Sequence, residues 1–143
     1  MKSFFYLLLL FLVACTSNKS KEDKALLAKN EAIKDLKNGL FFYVIDNEVI
    51  VSVNNKQVYR SEDHVGKVDL NLVLDLDEYI SSPTDRIKLE LINKDCAGCE
   101  SNWQILIYEL IKDGEAHDYI HESRSSPDKF GKVWEIEYVW GDV

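Results

Sequence analysis

The sequence predicts a mainly β protein: an antiparallel β-sandwich of about eight strands, preceded by one N-terminal helix. Three observations carry that expectation. From Leu40 onward the apolar residues recur with period two, the spacing of a strand with one buried face. Turn-forming residues interrupt the pattern about every ten residues. Between these short segments nothing reads as a crossover helix, so parallel βαβ units are excluded and a sandwich or small barrel remains.

The strands follow in order as LFFYVID, EVIVSV, QVYRS, KVDLNLVL, RIKLELI, WQILIYELIK, EAHDYIHES and KVWEIEYVW. In the fourth, Leu70, Leu72, Leu74 and Leu76 share a face. In the last, Trp134, Ile136, Tyr138 and Trp140 point one way and Glu135 and Glu137 the other. Asn54-Asn55 and Ser81-Ser82-Pro83 supply connectors, and Asp113-Gly114 has the composition of a two-residue hairpin turn. Ahead of the strands, residues 20–39 read as a helical stalk. Ser20 and Asp23 have capping-box spacing, Leu26, Ile33 and Leu36 recur near helical spacing, and Gly39 stands where a helix C-terminus favours glycine.

The first 19 residues have a different character. Lys2 precedes an unbroken apolar run, Phe4 to Ala14, and Cys15 opens a polar stretch. The run is well short of the roughly 20 residues a membrane-spanning helix needs, and it has the proportions of a secretory signal. Leu12-Val13-Ala14-Cys15 resembles the lipobox of bacterial lipoproteins. That resemblance implies cleavage before Cys15, diacylation of its thiol, and a lipid-anchored protein at the outer membrane, periplasmic or surface-facing, because Thr16 and not Asp follows the cysteine. Residues 1–14 would be the signal peptide, 15–19 a lipidated tether and 40–143 the β-sandwich domain.

Charge is divided along the chain. Six lysines face four acids between Lys19 and Lys37, whereas from Leu40 to Val143 ten Lys/Arg face 21 Asp/Glu, a net −11. So acidic a body lacks the cationic patches that phosphate recognition requires, which argues against nucleic acid and favours cationic partners or metal ions. A solvated acidic face that keeps the domain soluble accounts for many of the same residues.

Cys96 and Cys99, in the loop KDCAGCES, are expected to be oxidised to a disulfide outside the cytoplasm. The alternative is a redox pair resembling that of thioredoxin-like oxidoreductases, whose fold implies a βαβ crossover and a proline strand well downstream of the cysteines, and it meets two obstacles. Asp95 would raise the first thiol's pKa, and Pro127 lies only 28 residues beyond Cys99. His117 and His121, four apart on a strand, would share a face but stand about 13 Å apart, too far to chelate one ion. Asp75, Asp77 and Glu78 could offer oxygen ligands to calcium at a sandwich edge. No nucleophile elbow or phosphate loop is present, so no catalytic residues are assigned and no cofactor is expected.

The chain holds 16 aromatic residues: six Phe, seven Tyr and three Trp. Trp134, Tyr138 and Trp140 read as core, with a carbohydrate-stacking platform as the alternative. Trp103, opening a strand beside the cysteine loop, is a candidate binding anchor, together with Asp75, Asp77 and Glu78. The stretch LDEYISSPTDRIKLELIN with Trp103 and YELIKDGE resembles small jelly-roll sandwiches of the galactose-binding type. The functional expectation is a non-catalytic recognition domain for a protein or glycan. Its alternatives are an acidic inhibitor or immunity lipoprotein against a cationic cell-wall hydrolase, and an accessory subunit of an envelope assembly. Size, anchor, disulfide and acidity resemble lipoprotein lysozyme inhibitors, although their SGxxY-type signature is absent and VYRSED does not match it.

Overall fold

A computed structural model describes residues 29, 31–61, 70–94, 103–125 and 130–143. The lipobox-like segment with Cys15, the expected tether, most of the expected helix, and Cys96 and Cys99 lie outside the described residues. The chain divides into Met1–Lys34 and Asp35–Val143. In the first unit Lys29 and residues 31–33 are helical.

The second unit holds eight strands: β1 (Gly39–Ile45), β2 (Glu48–Val53), β3 (Lys56–Arg60), β4 (Leu72–Asp75), β5 (Arg86–Asn93), β6 (Trp103–Lys112), β7 (Glu115–Ser125) and β8 (Gly131–Val139). They form two four-stranded antiparallel sheets, ordered β4-β1-β6-β7 and β3-β2-β5-β8. Only β2–β3 and β6–β7 are hairpins within one sheet, and every other connection changes sheet. Both hairpins turn on two residues with positive φ, Asn54 and Asn55 (50° and 65°) and Asp113 and Gly114 (52° and 82°). That is the backbone a tight hairpin with right-twisted strands requires.

The core lies between the sheets. Leu40, Phe42, Leu106, Tyr108 and Leu110 come from the first sheet, and Val49, Val51, Ile87, Leu89 and Leu91 from the second; all are fully buried. Leu70, Leu72 and Leu74 pack against this core and Leu76 is fully buried, as their shared face predicts, although the strand itself spans only Leu72–Asp75.

Two expectations need correction. The helix was expected to reach Gly39, yet residues 34–35 turn and Gly39 opens β1, paired with Asp75 and Ile111. Glycine is required there by close packing: a Cβ would run into the Leu74 carbonyl oxygen and come within 2.9 Å of Leu36 Cδ1. The second correction concerns β1, which does not alternate: Gly39 to Phe42 are all buried. Phe41, Val44, Glu109 and Ile111 lie on the sheet's other face, away from the main core, and are buried too. On that face Phe41 meets Tyr43 edge-on at 4.8 Å, and the Tyr43 hydroxyl donates to Glu109 at 2.8 Å.

Candidate functional site

The candidate residues read from the sequence fall at opposite ends of the sandwich. Trp103 opens β6 and is half exposed; its carbonyl accepts from Asn47 Nδ2 at 3.3 Å. At the same end Glu48, almost fully buried, pairs with Arg60 at 2.8 Å and with Lys94. The other end holds Asp75, Asp77 and Glu78, all exposed. There the carboxylates build a turn: Asp75 Oδ1 accepts from the Asp77 amide at 2.9 Å, and Asp77 Oδ1 from Asn38 Nδ2 at 2.7 Å. Among the described residues no three His, Cys, Asp or Glu side chains gather as metal donors. Trp140 is buried, and Trp134 and Tyr138 pack partly against the core.

A different site emerges where the edge strands of the two sheets, β7 and β8, run past each other. Between them is a groove of about 440 Å³ lined by His117, Asp118, Glu137, Tyr138, Val139, Asp142 and Val143. Sequence reasoning weighed His117 only as a metal ligand, with Asp118 as its neighbour, and did not single out Asp142.

Local structure explains why these side chains converge. Along β7, Asp118, Ile120 and Glu122 stand opposite the inward residues Leu110, Tyr108 and Leu106. The register then shifts, and Ala116 pairs with Ile111. His117 is the extra residue of a β-bulge, which re-aims side chains locally. His117 and Asp118 therefore both line the groove, although strict alternation would separate them. By the same register His121 sits opposite Ile107 on the outer face with Tyr119, so the two histidines do not share a face.

On the opposite wall β8 ends in a short 3-10 turn, Trp140–Asp142, which brings Asp142 to the groove. That turn is held from behind: the Trp140 amide donates to the Asp85 carbonyl at 2.8 Å, and the Gly141 amide to the Pro83 carbonyl at 2.6 Å. Lys112 Nζ donates to the Trp140 and Val143 carbonyls at 2.9 and 2.6 Å and lies 5.4 Å from the Trp140 ring. The Asp85 loop is itself fixed by a buried carboxylate. Asp85 accepts from Asn54 Nδ2 at 2.9 Å and from the Ser81 and Ser82 amides at 2.7 and 2.8 Å. These donors, Asn54 foremost, hold its carboxyl below the usual carboxylate range.

The groove floor is a chain of hydroxyls linking the sheets. Tyr138 on β8 donates to Asp118 Oδ2 on β7 at 3.0 Å. Its single hydrogen is then committed, so the contact with Tyr108 at 2.7 Å must run from the Tyr108 hydroxyl to the Tyr138 oxygen. Burial pushes both phenols well above the ordinary tyrosine range, so neither ionises near neutral pH.

The groove is consequently acceptor-rich. Glu137 is engaged by Arg86. Asp118 and Asp142 have no Lys or Arg partner among the described residues. Two carboxylates beside the apolar flanks of Val139 and Val143 suit a cationic head on an aliphatic stem. No family model, no curated protein and no solved structure matches the chain.

Proposed function

We propose that this protein is an envelope lipoprotein, anchored through Cys15, whose β-sandwich is a non-catalytic recognition module. It engages a cationic protein at the groove between β7 and β8. The observation that carries this reading is a groove of about 440 Å³ that sets Asp118 and Asp142, without a Lys or Arg partner among the described residues, beside the apolar flanks of Val139 and Val143. The anchor rests on the Leu12-Val13-Ala14-Cys15 segment and the net −11 of the body on the sequence. Inhibition of a basic cell-wall hydrolase is the narrower form of the same reading, since such an enzyme carries the charge the groove would select.

The test combines location with binding. Membrane fractionation of wild type and Cys15→Ser should show the variant unprocessed or released. Detergent-solubilised wild type should bind a basic lysozyme in a salt-sensitive manner. Asp118→Asn with Asp142→Asn should weaken binding by about tenfold or more, a loss of at least ~1.4 kcal/mol. Equal binding by that double variant would remove the groove from the proposal, and a membrane-bound, mature-sized Cys15→Ser protein would remove the anchor.

A further inference from the structure

We infer that the partner docks by adding a strand to the free edge of β7, with basic side chains at alternating positions facing the groove. This deepens the preceding proposal and rests on its cationic partner. The four sheet edges are not equivalent. β4 has four residues; β3 has five and carries Lys56 and Arg60 at its two ends. β8 is longer, but it bears Lys132, ion-paired with Glu90 at 3.2 Å and Glu135 at 2.5 Å, and contains a register shift. Short length, edge lysines and bulges are the devices that discourage pairing with another chain.

β7 lacks the first two of these defences. It is the longest strand, 11 residues, without lysine or proline, and its bulge is confined to its first residues. From Asp118 to Ser125 its register against β6 is regular. In such a ladder every second residue turns its amide and carbonyl away from the neighbour. Among the described residues no strand pairs with that outward side.

The chemistry of the edge specifies the added strand. On its groove face stand Asp118, Ile120 and Glu122; on its outer face, Tyr119 and His121. Side chains directly opposite across an antiparallel pair have Cβ atoms about 4.5–5.5 Å apart, so basic residues four positions apart would meet Asp118 and Glu122. Glu122 already has Arg124 at 2.5 Å, which makes Asp118, backed by Asp142 across the groove, the stronger selector. On the other face Tyr119 is over half exposed yet steadied edge-on by Tyr43 at 5.9 Å. It offers a fixed aromatic surface to the intervening residues of the partner. The occupant is an extended protein segment with Lys or Arg on one face and uncharged residues on the other.

The test uses a ten-residue peptide of alternating lysine and threonine, and the same peptide N-methylated at every backbone amide, so that neither of its edges can donate to β7. Each is titrated into the detergent-solubilised full-length protein. The expected result is binding by the first peptide with new amide-exchange protection in β7, and at least tenfold weaker binding by the methylated one. Asp118→Asn should weaken the first peptide while leaving the chain folded by circular dichroism. Equal binding of both peptides would overturn strand addition and leave the cationic groove standing. Binding indifferent to Asp118→Asn, or absent for both peptides although the basic lysozyme binds, would also overturn it. Self-association through β7 without peptide would assign the edge to a second copy and equally overturn it.

Discussion

Replacing Tyr138 by Phe should destabilise the protein more than replacing Tyr108, although Tyr108 is the more deeply buried of the two. In Tyr138→Phe the Tyr108 hydroxyl, fully buried, loses its acceptor, and a buried donor without a partner costs about 1–3 kcal/mol. The bond to Asp118 is lost as well, but that carboxylate lines an open groove and water can replace the donor, so the loss is at the low end, about 1 kcal/mol. The sum is about 3 kcal/mol. In Tyr108→Phe the Tyr138 hydroxyl keeps Asp118, and the expected loss is about 1 kcal/mol. The double variant removes the orphaned hydroxyl and should cost about 2 kcal/mol, less than the sum of the single changes. Urea unfolding reads this directly: with a slope of about 2 kcal/mol/M, Tyr138→Phe lowers the midpoint by about 1.5 M. Additive costs, or a larger effect from Tyr108→Phe, would refute the hydroxyl chain and its direction.

Three further outcomes follow from the same packing and electrostatics. Gly39→Ala should lower stability by about 1–3 kcal/mol through overpacking against Leu74 and Leu36, and thermal unfolding measures it. At Glu48 the effects should be asymmetric. Glu48→Gln leaves two half-exposed cations that water can solvate, whereas Arg60→Ala with Lys94→Ala strands a buried carboxylate and costs about 3–5 kcal/mol in urea unfolding. Asp85 has a depressed folded-state pKa, so its contribution to stability is complete above the unfolded value of about 3.9 and is lost as pH falls through the lower folded value. Asp85→Asn should therefore show a flatter fall in stability on acidification than wild type, and an unchanged slope would contradict the assignment.

The fold was legible because its signals are local. EVIVSV and WQILIYELIK coincide with β2 and β6, and Asp113-Gly114 forms the expected turn. Gly39 was misread because glycine serves both helix ends and crowded strands, and only the Leu74 carbonyl beside it decides between them. The unbroken apolar run of β1 carried a signal of two buried faces that a search for alternation passes over. The groove was not legible. His117 and Asp118 converge only through the bulge opposite Leu110 and Ile111, and Asp142 arrives through a turn fixed by Asp85 and Pro83, far away in sequence. The acids that did stand out, Asp75, Asp77 and Glu78, sit together in an exposed turn, where two of them hold the chain.

The central claim is that the groove between β7 and β8 is where this protein meets its partner. A photo-crosslinking amino acid at Val139, in the groove wall, and at Asn55, in the β2–β3 turn, tests it in intact cells. The expected result is a crosslink to a basic protein from position 139 alone, lost when Asp118 and Asp142 are changed to Asn. Crosslinks from position 55 alone, or a position-139 crosslink that survives loss of both carboxylates, would contradict it.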